Sequence, residues 1–168
     1  AGATPESLLH PTGEFAARFM IAAMAVSPLR TVFPRAGWLR WLSAQRRALG
    51  LAAFGYAVLH TALYVIDMAT LRNIFVEFLE LGIWTGWAAF ALFLPLAVTS
   101  NDAALRALGR RWPALHRVVY AAAALTLVHW IFVHNNTGPA LAHFVPLACL
   151  EAWRLMHIAR ARRPAAIR

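Results

Sequence analysis

The sequence predicts an all-α membrane protein with about five transmembrane helices in a bundle and a short helix on the outer membrane surface. Three observations support this fold class. Of the 168 residues, 61% are hydrophobic and only 14% are charged, a balance typical of proteins whose solvent is the lipid bilayer. Long uncharged runs recur along the chain. All sixteen basic residues are arginines, and they fall mainly between those runs.

The predicted spans follow from the length of helix that crosses the hydrocarbon core, which is about 20 residues. The first contains a hydrophobic run broken by Arg18, and the next three contain long uncharged runs. The fifth is the weakest signal, because Glu151 and Arg154 lie near its end, where they pair or reach the inner interface. The spans cover residues 13–31, 47–66, 81–99, 115–134 and 139–158, within a single transmembrane domain of residues 1–168.

The arginines predict the orientation, because loops rich in basic residues stay in the cytoplasm. Fourteen of the sixteen lie between spans one and two, between spans three and four, or at the end of span five and beyond. The carboxy terminus is therefore expected in the cytoplasm, and the amino terminus with His10 outside. The net charge of +9 is explained by the arginines of these cytoplasmic segments. A nucleic-acid partner is not expected, since the arginines do not gather on one soluble face.

Between spans two and three, apolar residues recur at intervals of three and four, as on one face of a helix. The pattern predicts a short helix that lies on the outer membrane surface. The alternative is that residues 68–81 only lengthen the adjoining spans, because the periodicity covers just two turns. The apolar positions are Leu71, Ile74, Phe75, Phe78 and Leu79.

Histidines inside the predicted spans are the most informative residues, since an ionisable side chain among lipid is a functional candidate. His60 in span two and His129 in span four both lie about 20 Å from the cytoplasmic end of their helix, at about 1.5 Å per residue. Two neutral imidazoles at one depth on facing helices are the ligands that six-coordinate haem iron requires. This pair is the predicted haem site. The alternative for each histidine is an ordinary interhelical hydrogen bond.

His116 lies one layer lower, near the cytoplasmic end of span four, and is a candidate ligand of a second haem. Its partner stays open between His157 in span five and a water-occupied or quinone-facing position. The residues from His116 to His129 rotate by about 220° on an ideal helix, so a bulge, a kink or haems on different sides are required. Arg18 pairs either with Glu14, one turn away, or with a haem propionate.

Several other functions are disfavoured by what the sequence lacks. It contains no G-x-S-x-G turn, no HExxH helix and no phosphate-binding glycine loop, which argues against a hydrolytic enzyme. Its single cysteine, Cys149, cannot form a disulfide or a Cys-based metal site within the chain. A transporter is disfavoured because no broken helices in matching halves are visible. His10, His134 and His143, at or near the outer surface, are assigned a solvated or structural role.

Four segments of the chain resemble those of a known protein family: HPTGEFAARF at 10–19, RRALGLAAFGYAVLHTALY at 46–64, LAVTSNDAALRALGRRWPALHRVVY at 96–120 and LVHWIFV at 127–133. They resemble the MsrQ (YedZ) family, a ferric-reductase-like transmembrane group of the bacterial inner (cytoplasmic) membrane. The resemblance implies a subunit with one or two b-type haems, and FMN or quinone as further cofactors. It implies electron transfer from quinol or a flavin reductase on the cytoplasmic side to MsrP, a periplasmic molybdenum enzyme that reduces methionine sulfoxide. The family's histidines fall on His60, His116 and His129.

The amino terminus bears on a second hypothesis for the function, an accessory subunit of a larger complex. Family members usually have an additional first span, and this chain starts at Ala1 in what resembles the loop after that span. We therefore expect a processed or trimmed chain. The alternative function is an accessory or structural transmembrane subunit of a larger respiratory or photosynthetic complex, with or without haem.

Overall fold

The computed structural model describes residues 4–134 and 137–161, and this part of the chain consists of helices joined by short connections. No strand occurs in these two ranges, so the predicted all-α fold is confirmed. Arg162, Arg163 and Arg168, which belong to the predicted cytoplasmic tail, lie outside the described residues. The helices are α1 Pro5–Val32, α2 Gly37–Asp67, α3 Leu71–Glu77, α4 Leu81–Val98, α5 Asp102–Leu108, α6 Trp112–His116, α7 Val119–His134 and α8 Thr137–Ala161, with a 3₁₀ turn at Gly109–Arg111.

Three helices, α1, α2 and α4, are each long and apolar enough to cross a membrane. Residues 102–116 and α7 together make a fourth candidate crossing, with a bend of 41° between them. The chain is thus a multi-pass membrane protein. Helix α8 contains the fifth predicted span and its 25 residues are long enough to cross, but it is not apolar enough to join the three candidate crossings. Its crossing stays a prediction.

The first two helices extend beyond their predicted spans. Helix α1 begins at Pro5, where the Thr4 side chain accepts a hydrogen bond from the Ser7 backbone N–H at 3.3 Å. Helix α2 begins at Gly37, ten residues before the predicted span. The arginines between the first two spans therefore lie partly on the first turns of a helix. This extension is favourable because arginine and leucine are good helix formers.

The predicted span at 115–134 is not one continuous helix. Helix α6 ends at His116, and α7 begins at Val119. Between them the N–H groups of Arg117 and Val118 donate to the carbonyls three residues earlier, at 3.2 and 3.0 Å, so the α-helical hydrogen-bond register is interrupted. His116 consequently lies outside α7. Of the bulge, the kink and the haems on different sides that the spacing left open, the structure shows a kink, a bend of 41°.

The short helix between spans two and three is α3. Helix α2 ends at Asp67 and α4 begins at Leu81, so the alternative of two lengthened spans is wrong. Thr70 caps α3 by accepting a hydrogen bond from the Asn73 N–H at 3.4 Å. Leu71 and Phe75 are 71% and 73% exposed, as expected for a helix whose apolar face meets lipid.

The long helices pack as a bundle, with the largest contacts between α1 and α2 and between α4 and α7, while α8 lies against α1 and α7. Small buried residues such as Ala53, Ala123 and Ala140 allow the helices to approach closely. We call the end formed by the start of α1, the end of α2, α3 and the end of α7 the arginine-poor end. The opposite end, with the starts of α2 and α5, is the arginine-rich end.

Candidate cofactor site

The two histidines selected by depth meet in the interior of the bundle. His60 comes from α2 and His129 from α7. Their ring centroids are 6.0 Å apart, and the ring planes are nearly perpendicular at 81°. Both rings line one cavity, nearer to the arginine-poor end. The structure therefore brings together the predicted pair.

Each ring is fixed by a backbone carbonyl of a different helix. Nδ1 of His60 donates to the carbonyl of Leu9 in α1 at 2.9 Å, and Nδ1 of His129 donates to the carbonyl of Gly82 in α4 at 2.7 Å. A carbonyl oxygen only accepts, so Nδ1 carries the hydrogen in both neutral rings. Each Nε2 keeps its lone pair, and no residue in the described ranges forms a hydrogen bond with it. The cavity is thus lined by two imidazoles with a free ligand nitrogen.

Two glycines allow the helix backbones to lie against these rings. A Cβ atom at Gly86 would stand 2.5 Å from Nδ1 of His129, and one at Gly13 would stand 3.0 Å from Nδ1 of His60. Both values are shorter than an ordinary van der Waals contact. Any larger residue would displace the rings.

The cavity lies between α1, α2, α4 and α7 and has mainly apolar walls. The walls contain both small side chains and aromatic rings, so a flat apolar group has contact surface on several sides. Its polar residues include Glu14 and His134 towards the arginine-poor end. The apolar lining comprises Ala16, Ala17, Ala57, Ile83, Trp87, Ala89, Phe90, Phe93 and Trp130.

A polar network lies at the rim of the cavity. Glu14 accepts a hydrogen bond from Nη2 of Arg18 at 2.5 Å, as the i, i+4 spacing predicts, and its carboxylate is 3.7 Å from Nδ1 of His10. Nε of Arg18 donates to Nε2 of His143 at 3.3 Å. The rings of His10 and His134 stack at 3.7 Å. The three histidines that the sequence assigned to a solvated or structural role thus connect α1, α7 and α8.

His116 is not brought together with a second histidine. Its Nε2 lies 3.0 Å from the hydroxyl of Thr99, and its ring stacks on Trp112 at 3.8 Å. His157, its candidate partner, stacks instead on Trp153 at 5.3 Å, and the described residues show no ring contact between the two histidines. Nor does this part of the chain contain a group of three His, Cys, Asp or Glu residues able to hold a metal ion.

The backbone groups that hold the two histidines are not identified by hydropathy or by the depth of residues in the spans. These groups belong to Leu9, Gly13, Gly82 and Gly86. A signal for two of them is present, because a Thr–Gly pair occurs near the amino end of both α1 and α4. Glycine within a span marks a place where another group approaches the backbone closely.

The fold and site together define a class, a helical-bundle membrane protein with two facing histidines in an apolar cavity. Residues 12–128 match the model of the family described as "Ferric reductase like transmembrane component". Similar relatives carry the description "Protein-methionine-sulfoxide reductase heme-binding subunit MsrQ". The chain belongs to this MsrQ family of ferric reductase-like transmembrane components. No solved structure matches it.

Three of these relatives cover most of the chain. The protein of Rhizobium meliloti is 41% identical in an alignment that covers 86% of this chain and 67% of the relative. That of Deinococcus radiodurans is 41% identical over 98% of this chain and 82% of its own length. That of Azospira oryzae is 38% identical over 97% of this chain and 71% of its own length. The similarity therefore includes all the helices that form the cavity.

Proposed function

We propose that the chain is a b-type haem electron-transfer subunit of a membrane oxidoreductase, in which His60 and His129 would hold the haem iron. The distance of 6.0 Å between their ring centroids carries this proposal. Metal–imidazole bonds of about 2.0 Å on both sides separate the two nitrogens by about 4 Å and the ring centres by about 6 Å. The residues present therefore fit a haem whose iron would be held by these two histidines.

The chain's own groups have distinct roles in this proposal. Haem iron, when bound, accepts and releases one electron at a time. His60 and His129 each provide a neutral Nε2, and the carbonyls of Leu9 and Gly82 hold the opposite nitrogen protonated and make each ligand more basic. The apolar walls exclude water. Arg18 is proposed to balance a propionate at the rim, where it already joins Glu14 and His143.

We propose that electrons pass from the arginine-rich, cytoplasmic end to the arginine-poor, periplasmic end. The donor is quinol or a flavin, with FMN supplied by a flavin reductase. The acceptor is a molybdenum-containing catalytic subunit of the MsrP type, which reduces methionine sulfoxide. The relatives are heme-binding subunits of a protein-methionine-sulfoxide reductase, which supports an acceptor that reduces methionine sulfoxide. The chain is placed as a single transmembrane domain in the bacterial inner membrane, with a periplasmic amino terminus and a cytoplasmic carboxy terminus.

We also propose a second haem at His116. Its position near the arginine-rich end would divide the path across the membrane into two steps. The hydrogen bond between Nε2 of His116 and Thr99 would have to be exchanged for a metal bond. A pyridine haemochrome assay, which measures the number of haems per chain, tests the second haem site. Two haems per chain, falling to one in His116→Ala, support the second site, and one haem per wild-type chain rejects it.

The main experiment is a reduced-minus-oxidised absorption spectrum of the purified protein in detergent. We expect a b-type spectrum in the wild type and the loss of the signal of the haem held by His60 and His129 in His60→Ala and in His129→Ala. His157→Ala is the matched control, because His157 lies outside the cavity, and it should retain the spectrum. A folded wild type without haem absorbance would reject the proposal. Co-purification with a larger complex, with normal turnover after both histidines are replaced, would favour the accessory subunit.

A further inference from the structure

The same local arrangement holds His60 and His129, although it lies on two different helices. In α1 the carbonyl of Leu9 accepts the His60 hydrogen bond, and Thr12 and Gly13 follow three and four residues later. In α4 the accepting residue is Gly82, and Thr85 and Gly86 follow at the same distances. We call Leu9, Thr12 and Gly13 the α1 seat. Gly82, Thr85 and Gly86 are the α4 seat.

The threonines bind the same carbonyls that accept from the histidines. The hydroxyl of Thr12 lies 2.9 Å from the Leu9 carbonyl, and that of Thr85 lies 3.0 Å from the Gly82 carbonyl. Each hydroxyl also lies within reach of the preceding carbonyl, at 2.9 Å and 2.6 Å. Such bonds tilt the carbonyls and bend the helix slightly. Thr12 and Thr85 are also the buried polar side chains of the described core, with 7% and 2% exposure.

The glycines give the imidazoles access to these carbonyls. A helical carbonyl points towards the carboxy end of the helix, so the side chains three and four residues later flank it. Glycine at the fourth position removes one of them. Such close approach is not general among the helical glycines, because a Cβ at Gly50 or Gly55 in α2 would meet nothing within 4 Å, whereas one at Gly86 would stand 2.5 Å from Nδ1 of His129.

We propose that the two seats are positioning elements that fix the tautomer, the ring plane and the basicity of His60 and His129. Each ring is held by the backbone of a different helix, α1 or α4, which sets the two planes independently and gives their angle of 81°. The effect on iron rests on the proposed function. Through the ligands, the seats determine the angle between the two imidazole planes at the iron and the midpoint potential of the site.

The test compares seat variants with matched controls. Gly86→Ala is compared with Gly55→Ala, and Thr85→Val with Thr31→Val. Thr31 also bonds a carbonyl four residues earlier, that of Ser27 at 3.2 Å, but lies away from the cavity. Circular dichroism checks that each variant is folded. Because Thr85→Val preserves the side-chain volume, it tests the seat even if Gly86→Ala does not fold.

Three readouts of the haem-loaded protein are expected to change in the seat variants alone. Loss of an outer-shell hydrogen bond weakens haem binding by about 10- to 100-fold. In Gly86→Ala the midpoint potential rises, because a ring displaced from the Gly82 carbonyl is less basic and stabilises ferric iron less. In Thr85→Val, which removes the second donor to that carbonyl, it differs from the wild-type value. The low-spin electron paramagnetic resonance signal of perpendicular ligand planes, with its large maximum g value, is lost or split. Thr85→Ser, which keeps the hydroxyl, should restore all three.

A fourth readout needs no haem. In ¹⁵N-histidine-labelled protein purified without haem, we expect His129 as the Nδ1–H tautomer in the wild type and both controls, and a tautomer mixture in Gly86→Ala. If the wild type binds haem but the seat variants match their controls in all readouts, the seats are rejected and the proposed function stands. If the wild type binds no haem, the proposed function fails, and the tautomer alone supports or rejects the seats.

Discussion

At the scale of single residues, Arg47 of α2 and Asp102 of α5 form an ion pair at the arginine-rich end. Nη1 of Arg47 donates to Oδ1 of Asp102 at 2.7 Å. This hydrogen bond, together with the charge of Arg47, lowers the pKa of Asp102. Since the folded-state pKa lies below the unfolded one, the pair stabilises the fold above the unfolded value of about 4. That stabilisation is lost as the pH falls through the lower folded value.

We therefore expect Asp102→Asn to lose part of the acid sensitivity of the protein. The effect is small, because both side chains are largely exposed and water screens their interaction. The measurement is the thermal midpoint in detergent at pH values from about 6 down to about 3, which bracket the pKa of a free aspartate. Asp67→Asn, an exposed position at the other end of α2, should behave like the wild type. An Asp102→Asn profile that matches the wild type at every pH would contradict this role of the ion pair.

The histidine pair could be predicted at this scale, but its supporting residues could not. The depth of His60 and His129 follows from the rise per residue and from the arginines that mark one end of each helix. The acceptors Leu9 and Gly82 depend on which helices become neighbours, and hydropathy does not specify that. Leu9 also precedes the predicted first span. For the same reason the sequence did not reveal Thr99 as the hydrogen-bond partner of His116.

At the scale of helices, α7 and α8 are joined by three polar side chains. Nη2 of Arg154 is 2.9 Å from a carboxylate oxygen of Glu151 and donates to the hydroxyl of Tyr120 at 2.8 Å. The Tyr120 hydroxyl in turn donates to Glu151 at 3.4 Å. Glu151 and Arg154 are only 13% and 21% exposed, so water screens their attraction little. Of the two alternatives that the sequence left for this pair, pairing is the one observed.

Removal of one charge from this cluster should destabilise the fold more than removal of both. Glu151→Leu leaves the Arg154 charge mostly buried without its partner, which costs about 3 kcal/mol. The double variant Glu151→Leu with Arg154→Leu should cost less than Glu151→Leu alone. Tyr120→Phe removes only a neutral group and should cost about 1 kcal/mol. The free energy of unfolding in mixed detergent micelles is measured for five proteins: the wild type, Glu151→Leu, Arg154→Leu, the double variant and Tyr120→Phe. A double variant whose loss equals the sum of the two single losses would rule out this coupling.

The existence of the helices was easier to predict than their ends. Hydropathy located every long helix, because an apolar run of sufficient length needs the bilayer. It missed the first turns of α2, where arginines continue the helix beyond the apolar run. It also joined α6 to α7, since the 3₁₀-type bonds at Arg117 and Val118 change the backbone without changing hydropathy. The ends of these helices therefore depend on hydrogen bonds rather than on composition.

At the scale of the whole molecule, acidic and basic residues are segregated. Five of the seven acidic residues lie at the arginine-poor end. The two basic residues at that end are Arg18 and Arg72. This asymmetry supports the proposed orientation, because the insertion machinery retains arginine-rich segments in the cytoplasm. The five acidic residues are Glu6, Glu14, Asp67, Glu77 and Glu80.

Helix α8 provides the sharpest test of this topology, because its length permits a crossing while its composition is less apolar than that of the other spans. From Thr137 to Arg160 a helix rises by about 35 Å, which exceeds a hydrocarbon core of about 30 Å. We expect a cysteine at position 137 to react with a membrane-impermeant maleimide in spheroplasts, and a cysteine at position 160 to react only after permeabilisation.

The background for these variants is Cys149→Ser, which removes the single native thiol. Ser7→Cys and Ala103→Cys are the controls, since both positions are exposed and they mark the proposed outer and inner ends. Labelling of Thr137→Cys and Arg160→Cys in intact spheroplasts would show that α8 does not cross. If Ala103→Cys is labelled in intact spheroplasts and Ser7→Cys is not, the orientation is the opposite of the proposed one. The paired histidines would then lie nearer the cytoplasm, and an electron acceptor in the periplasm would be ruled out.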